Sequence, residues 1–288
     1  MSRQLVGLSE DGQKIEIKKF NGYLSFEKTI DKENQRIGAF LDVETTGLDF
    51  KKHKVIDVAI VLFTFDRITG NVCSILEEFQ ELQDPEEPLS EETKNITGYT
   101  DEDLKGKKIN WESVDQLLSK AHILIAHNSK FDRPFLEKYS EKSKEKIWGC
   151  SCFQVDWIGK GHDVAKLSTL AKDHGFFFDA HKALIDVKAG VKLLSMIDPD
   201  SNSPYLFELL ENAKIPQKIV IARGSKFDFK DSLKEFGFRW DQKNKIWKAK
   251  TKKTDSKFED FIKDNTSLGA GVPEVIDISL IDNFKDND

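Results

Sequence analysis

Asp42 and Glu44 stand two residues apart inside Ile37–Glu44 (IGAFLDVE), a run otherwise built like a buried β-strand. Side chains alternate along a strand, so both carboxylates share one face and Leu41 and Val43 the other. Two like charges about 7 Å apart on an apolar strand are costly. Either the strand end opens to water or cations sit there. Thr45-Thr46-Gly47 directly after the pair suits a chain that turns away and exposes backbone groups. Asp186 carries Ala189, Gly190, Leu193 and Ile197 on its own helical stripe, with Lys188, Lys192 and Ser195 opposite, so it faces inward. Asp132 falls in the first turn of a predicted helix, where the dipole alone favours an acid. It also lies just beyond the buried run Ala121–Ala126, where α/β folds place site residues. His181, five residues before Asp186, reads equally well as a capping or surface histidine. Four acids and an imidazole on separate elements would suit two-metal phosphoryl chemistry. Mg²⁺ and Mn²⁺ take oxygen ligands, and a pair about 4 Å apart can hold the attacking and leaving oxygens of a phosphodiester. An imidazole titrates near neutrality and can deprotonate the attacking water.

The elements that must position these residues follow from periodicity. Strands are predicted at 37–44, at Val55–Phe65 and at Val72–Leu82, the turn Asp66–Asn71 joining the last two, which suggests an antiparallel meander. A helix start at Leu89–Thr93, a helix at Trp111–Leu118, a buried strand at Ala121–Ala126, and a turn into a helix at 127–140 follow. Then come a strand over Trp148–Trp157, a helix over Val164–His174 and a last helix over Lys182–Ile197, with Pro199, Asn202 and Pro204 marking the domain end. Sheet first and helices interleaved afterwards make an α/β domain over 36–200, preceded by an extension over 1–35. A small α+β module is expected over 214–264, and a flexible acidic arm over 265–288.

With 288 residues, 39% of them apolar, the chain can bury a sizeable core. It has neither an apolar run of membrane-spanning length nor a signal-peptide stretch at its start, so a cytoplasmic location is expected. Cys150 and Cys152 form only a C-x-C and are read as free thiols in a strand. The net charge of −6 hides an asymmetry: residues 214–263 carry 15 Lys+Arg against 7 Asp+Glu, on an otherwise acidic chain. Phe227, Phe229, Phe238, Trp240 and Trp247 interleave there with Lys226, Lys230, Arg239, Lys243, Lys245 and Lys248. Such a pattern suits single-strand binding, and equally a module whose rings are simply its core.

Three stretches together resemble the DEDDh 3′–5′ exonuclease family (DnaQ-like). They are DVETTGL at Asp42–Leu48, AHNSKFD at Ala126–Asp132 and HKALIDVKAG at His181–Gly190, in the family's order. ITGYTDEDL at Ile96–Leu104 and the lead-in GFFFDAHKAL strengthen the likeness, which covers residues 36–197. The sister class has a tyrosine four before the last aspartate; here Lys182 stands there. The resemblance implies a ribonuclease H-like exonuclease fold, a mixed sheet whose first three strands are antiparallel, with helices on both sides. It implies that Asp42, Glu44 and Asp186 hold one Mg²⁺ or Mn²⁺, that Asp42 and Asp132 serve a second, and that His181 is the general base. Backbone groups around Thr45, Thr46 and Leu48 would grip the terminal nucleotide, with Leu48 and Phe131 against base and sugar and His127 near the phosphate. Family members release nucleoside monophosphates from single-stranded 3′ ends, some as partners of a DNA polymerase.

DNA repair or proofreading is the favoured expectation, with DNA the substrate rather than RNA. RNA 3′-end trimming and a non-catalytic, polymerase-associated nucleic-acid-binding role are the alternatives, the last weakened because all five chemical positions are filled. VIDISLIDNF in the acidic tail is open to two readings, a docking peptide for a replication partner or an unremarkable arm.

Overall fold

The computed structural model describes residues 16–26, 28–29, 31–263 and 273–285, with 260–263 as backbone only. Expectations that fall on 1–15, 264–272 and 286–288 lie outside the described residues. The chain divides into two compact units, one running to Asn212 and taking in Phe284, the other spanning Ala213–Asn283.

In the first unit a two-residue strand, β1 (Lys18–Lys19), precedes the long strands β2 (Gln35–Thr45), β3 (Val55–Asp66) and β4 (Val72–Leu82). These three pair antiparallel as the motif order requires. β3 is the continuous apolar run, and burial of every residue from Val55 to Phe65 makes it a strand covered on both faces. The β3–β4 turn is fixed by Asp66 Oδ1, which accepts the N–H of Ile68 at 2.7 Å and of Thr69 at 3.2 Å. Helix α1 (Glu91–Thr97) starts on Ser90, whose hydroxyl accepts the Thr93 N–H, and α2 (Asp101–Leu104) on a Thr100/Asp103 capping box. After α3 (Trp111–Lys120), strand β5 (Ile123–Ala126) enters parallel to β2 and passes straight into α4 (Ser129–Leu136). A short α5 (Glu141–Lys144) leads to β6 (Ile147–Cys150), parallel to β5, and completes the order β4-β3-β2-β5-β6.

The two faces of β2 go to different helices. Ala39, Leu41 and Val43 share a core with Val114, Leu118 and Phe135 of α3 and α4. Phe40, on the opposite face, lies under Gly190 of the later helix α7. Helices therefore cover both sides of a mixed sheet, the ribonuclease H-like arrangement.

Several boundaries differ from the sequence reading. The strand predicted over 148–157 ends at Cys150, because Ser151, Cys152 and Gln154 turn back on Ala126, His127 and Cys150 by backbone hydrogen bonds. Cys150 is thus in a strand and Cys152 just past one, both free. Helix α6 (Leu167–Asp173) begins three residues later than expected. The strand β7 (Phe176–Phe177) pairs in parallel with β1, so the extension ahead of residue 36 contributes to this unit, with Phe20 buried. Helix α7 (Ala183–Ser195) is not the last. The pair β8 (Ile197–Asp198) and β9 (Ser203–Pro204) turns the chain into α8 (Tyr205–Ala213). Leu206 and Leu209 of that helix are fully buried, so the domain does not stop at 200. Pro204 ends β9 and stands directly before α8 rather than at a domain end.

The second unit is an antiparallel sheet. It consists of β10 (Gln217–Ala222), α9 (Lys230–Phe236), β11 (Arg239–Asp241), β12 (Ile246–Lys252), α10 (Ser256–Lys263) and β13 (Pro273–Ile278), in the strand order β11-β12-β10-β13. Val220, Ala222, Leu233, Phe238, Trp247, Ala249 and Phe258 are its core. The tail expected to be a flexible arm supplies β13, paired with β10 over six residues, and Phe284, buried in the core of the first unit. Main-chain pairing on one side and an aromatic ring on the other outweigh the acidic composition that suggested an arm. Within VIDISLIDNF, Ile278 and Phe284 are buried while Val275, Ile276 and Ile281 stay exposed.

Candidate active site

The even-numbered residues of β2 project toward α7. At Gly190 a Cβ would lie 2.2 Å from the Phe40 ring, so only glycine lets the helix come this close. One turn earlier on α7, Asp186 is carried over Asp42 and Glu44, and ligand oxygens of the three lie within 4.8 Å of one another. Asp132 reaches the same place from α4. β2 outruns β5, whose pairing stops at Phe40, and the Val43 N–H beyond that point donates to Asp132 Oδ1 at 3.2 Å. All four carboxylates line one cleft of about 220 Å³, together with Phe40, His127, Phe131 and His181.

Burial is the largest cause of the perturbed titration of each acid. Asp42 is raised well above the ordinary range by burial and then by the charges of Asp132, Glu44 and Asp186. Glu44 is pushed to about 8 by burial and by Asp186 and Asp57. Asp132 rises to about 7 against the Val43 hydrogen bond, and Asp186 to about 6 against those from Lys182 and His181. Among the described residues no Lys or Arg pairs with any of the four. An unpaired, oxygen-only cluster is disfavoured as four anions and suits hard divalent cations.

His181 takes a left-handed backbone, φ +66°, unusual for a residue with a side chain and often kept where function requires it. That turn lets the Lys182 N–H donate to Asp186 Oδ2 at 2.9 Å, which ties the spacing of imidazole and carboxylate to one cleft. His127 lines the cleft with both ring nitrogens engaged. Its Nε2 donates to the Ala165 carbonyl at 2.7 Å and its Nδ1 meets Ser151 Oγ at 2.8 Å, with burial holding the ring's pKa near 4. His127 thus stands in the cleft wall, and its two ring nitrogens tie β5's exit to Ser151 and to the loop before α6.

Thr45 and Thr46 hold the turn with their side chains. Thr45 Oγ1 donates to the Gly47 carbonyl at 2.7 Å, and Thr46 Oγ1 accepts the Lys54 N–H and meets His53. Thr93 of α1 donates to the Thr46 carbonyl from behind. Leu48 projects into solvent, 85% exposed, and Phe131 leans on Phe135 with ring centroids 5.0 Å apart.

Sequence reasoning missed Asp57. It is fully buried in β3 directly across from Glu44, and Oδ2 accepts from Tyr99 Oη at 2.7 Å and Gln80 Nε2 at 2.9 Å. Burial raises its pKa, while the Tyr99 and Gln80 hydrogen bonds and the N–H of Ala183, the first residue of α7, pull it back. The signal was an acid in an otherwise unbroken apolar run, and Tyr99 of ITGYTDEDL is its partner.

A sheet that presents such an acidic cluster beneath a helix offers a candidate site for divalent cations. Residues 39–194, more than half of the chain, match the RNase_T family model, described as Exonuclease, and the chain belongs to that family. The DnaQ-like character and fold read from the motifs agree with it. Among curated relatives, the chain is 36% identical over 107 residues to the PolC-type DNA polymerase III of Halalkalibacterium halodurans. It is 38% identical over 103 residues to that of Streptococcus pyogenes serotype M5. Each match covers 35% of this chain and 7% of the relative, so the chain spans a small fraction of either polymerase's length. Among solved structures, the zinc-bound E. coli ExoI–ssDNA complex superposes with a TM-score of 0.49 at 17% identity, over 66% of this chain and 48% of that one. Exonuclease X in complex with 5′-overhanging duplex DNA gives 0.41 at 20% identity, over 59% and 99%. No helix among the described residues is long and apolar enough to cross a membrane.

Proposed function

We propose that this exonuclease removes nucleotides from the 3′ end of single-stranded DNA as nucleoside 5′-monophosphates, using two divalent ions. The observation that carries the reading is the convergence of Asp42, Glu44 and Asp186 on one point, with no cationic partner among the described residues. Asp42, Glu44 and Asp186 would hold one Mg²⁺ or Mn²⁺, and Asp42 with Asp132 the other. When bound, the ions supply charge stabilisation for the attacking and leaving oxygens.

The chain's own residues do the rest. His181, at the mouth of the cleft, accepts a proton from the attacking water as its oxygen bonds to phosphorus and the P–O3′ bond breaks. The Lys182 N–H orients Asp186, and the Val43 N–H orients Asp132. Phe131 lines the cleft and Leu48 stands exposed, apolar surfaces for the terminal sugar and base. The Thr46 N–H and carbonyl are engaged by the Lys54 carbonyl and the Thr93 hydroxyl, so the backbone grip would fall to other groups of the Thr45–Leu48 turn. The 3′ polarity rests on the motif resemblance, and DNA as substrate on the likeness to polymerase relatives. Proofreading or repair beside a polymerase is the role these relatives favour.

The test is hydrolysis of 5′-labelled single strands of DNA and RNA with Mg²⁺ or Mn²⁺. A ladder shortening from the 3′ end of DNA is expected, absent without metal and absent in Asp42→Ala. The same ladder on RNA alone would move the reading to RNA trimming, and no ladder on either would reject it.

A further inference from the structure

The second unit's aromatic residues do not all share one fate. Phe238, Trp247 and Phe258 are its core, yet Phe227 is 76% exposed and Trp240 46% exposed. Strand register brings these two to the same end of the sheet. Ala222 pairs with Trp247, and Trp247 with Trp240, so the three form one row across β10, β12 and β11. At ordinary strand spacing that row is about 10 Å wide. Phe227 follows Ala222 after a short turn closed by Ser225 Oγ on the Ala222 carbonyl at 2.8 Å. The β11–β12 hairpin turn, just beyond the same row, carries Lys243 and Lys245 and is pinned by Asp241, which accepts the N–H of Lys243 and Asn244 at 3.0 Å.

Both rings are held for use rather than loose. Trp240 leans on Trp247 at 5.5 Å and 59°, with its indole N–H on Gln242. Lys230 Nζ stands 4.3 Å from the Phe227 centroid. Among the described residues Lys226, Lys243 and Lys245 make no ion pair, whereas the acids Asp231, Asp241 and Glu274 are paired with Lys234, Lys248 and Arg223, and Asp228 and Glu235 add negative charge. Two exposed rings beside unneutralised lysines match a flexible polyanion with stackable bases better than an apolar protein surface. We propose that this end of the second unit docks single-stranded nucleic acid, with bases on Phe227 and Trp240 and phosphates along Lys226, Lys243 and Lys245. The strand's identity as substrate rests on the nuclease reading; the docking does not.

The test is binding of labelled dT20 by the full chain without divalent metal, so that no strand is cut. Replacing Phe227→Ala and Trp240→Ala together is expected to weaken binding by about fivefold or more per ring, and Phe227→Tyr with Trp240→Phe to restore it. Lys226→Gln, Lys243→Gln and Lys245→Gln together are expected to reduce the salt-dependence slope by about 2. Hydrolysis of a mononucleotide p-nitrophenyl ester with Mg²⁺ reports the nuclease centre separately, and these variants should leave it unchanged. Parental dT20 affinity and slope in both sets of variants would overturn the dock. Failure of the parent chain to cleave the ester or any strand would instead count against the nuclease reading.

Discussion

At the residue scale the two histidines of the cleft divide labour in a way that substitutions separate. His181→Asn keeps a residue that tolerates the left-handed turn and removes only the imidazole. It is expected to lower kcat by about 10²–10⁴-fold with little change in melting temperature. His127→Ala should cost about 2–3 kcal/mol of stability by orphaning the Ala165 carbonyl and Ser151 hydroxyl. Kinetics and thermal melts on the two variants check this, and a stable His127→Ala enzyme would contradict it. The acids make a further prediction. Each binds protons more tightly folded than unfolded, so the metal-free fold is favoured below about pH 4 and loses that stability as pH rises toward about 8, the value for Glu44. Melting temperature without metal should therefore fall from about pH 5 to about pH 8, and the gain on adding Mg²⁺ should grow over the same range. A gain independent of pH would sever the link between ion binding and these carboxylates. Asp42, Glu44 and Asp186 stand out by residue type and spacing, because a carboxylate in an apolar strand or stripe demands an explanation, whereas Asp132 and His181 read equally well as a first-turn acid and a surface histidine and join them only through the motif resemblance. Asp57 carries the same signal, an acid in an apolar run, but its meaning depends on Tyr99 and Gln80 from other parts of the chain.

At the scale of elements, the contact between α7 and β2 decides where Asp186 stands. Gly190→Ala forces a methyl into the Phe40 ring and is expected to destabilise by about 1–3 kcal/mol. It should also weaken activity more than stability alone explains, because the helix that carries Asp186 must move. Pairing it with Phe40→Leu should recover part of both losses, which activity assays and melts on the single and double variants would show. The long strands and α7 were legible because their periodicity is strong. The strand over 148–157 was overextended because apolar residues continue past Cys150 while the backbone turns back, and apolarity alone does not mark a turn. α8 is hidden in the sequence because Pro204, the last residue of β9, stands directly before it, and a proline there reads as a break.

At the scale of the whole molecule, the second unit leaves the first after Asn212 and the chain returns to it at Phe284. Phe284→Ala should cost about 3 kcal/mol in the first unit, and a chain ending at Asn212 should be destabilised to a similar degree. A truncation as stable as the full chain would show that the ring is dispensable. Composition could not reveal this return: an acidic segment looks like an arm until its strand pairing and buried ring are seen.

That return also sets an order of events during synthesis. A ribosome delivers the polypeptide from the amino end, and residue 284 emerges only after every residue of the second unit. The small sheet, its edge strand β13 included, is synthesised while the core of the first unit still lacks one ring, so that core is completed only after the second unit has been made.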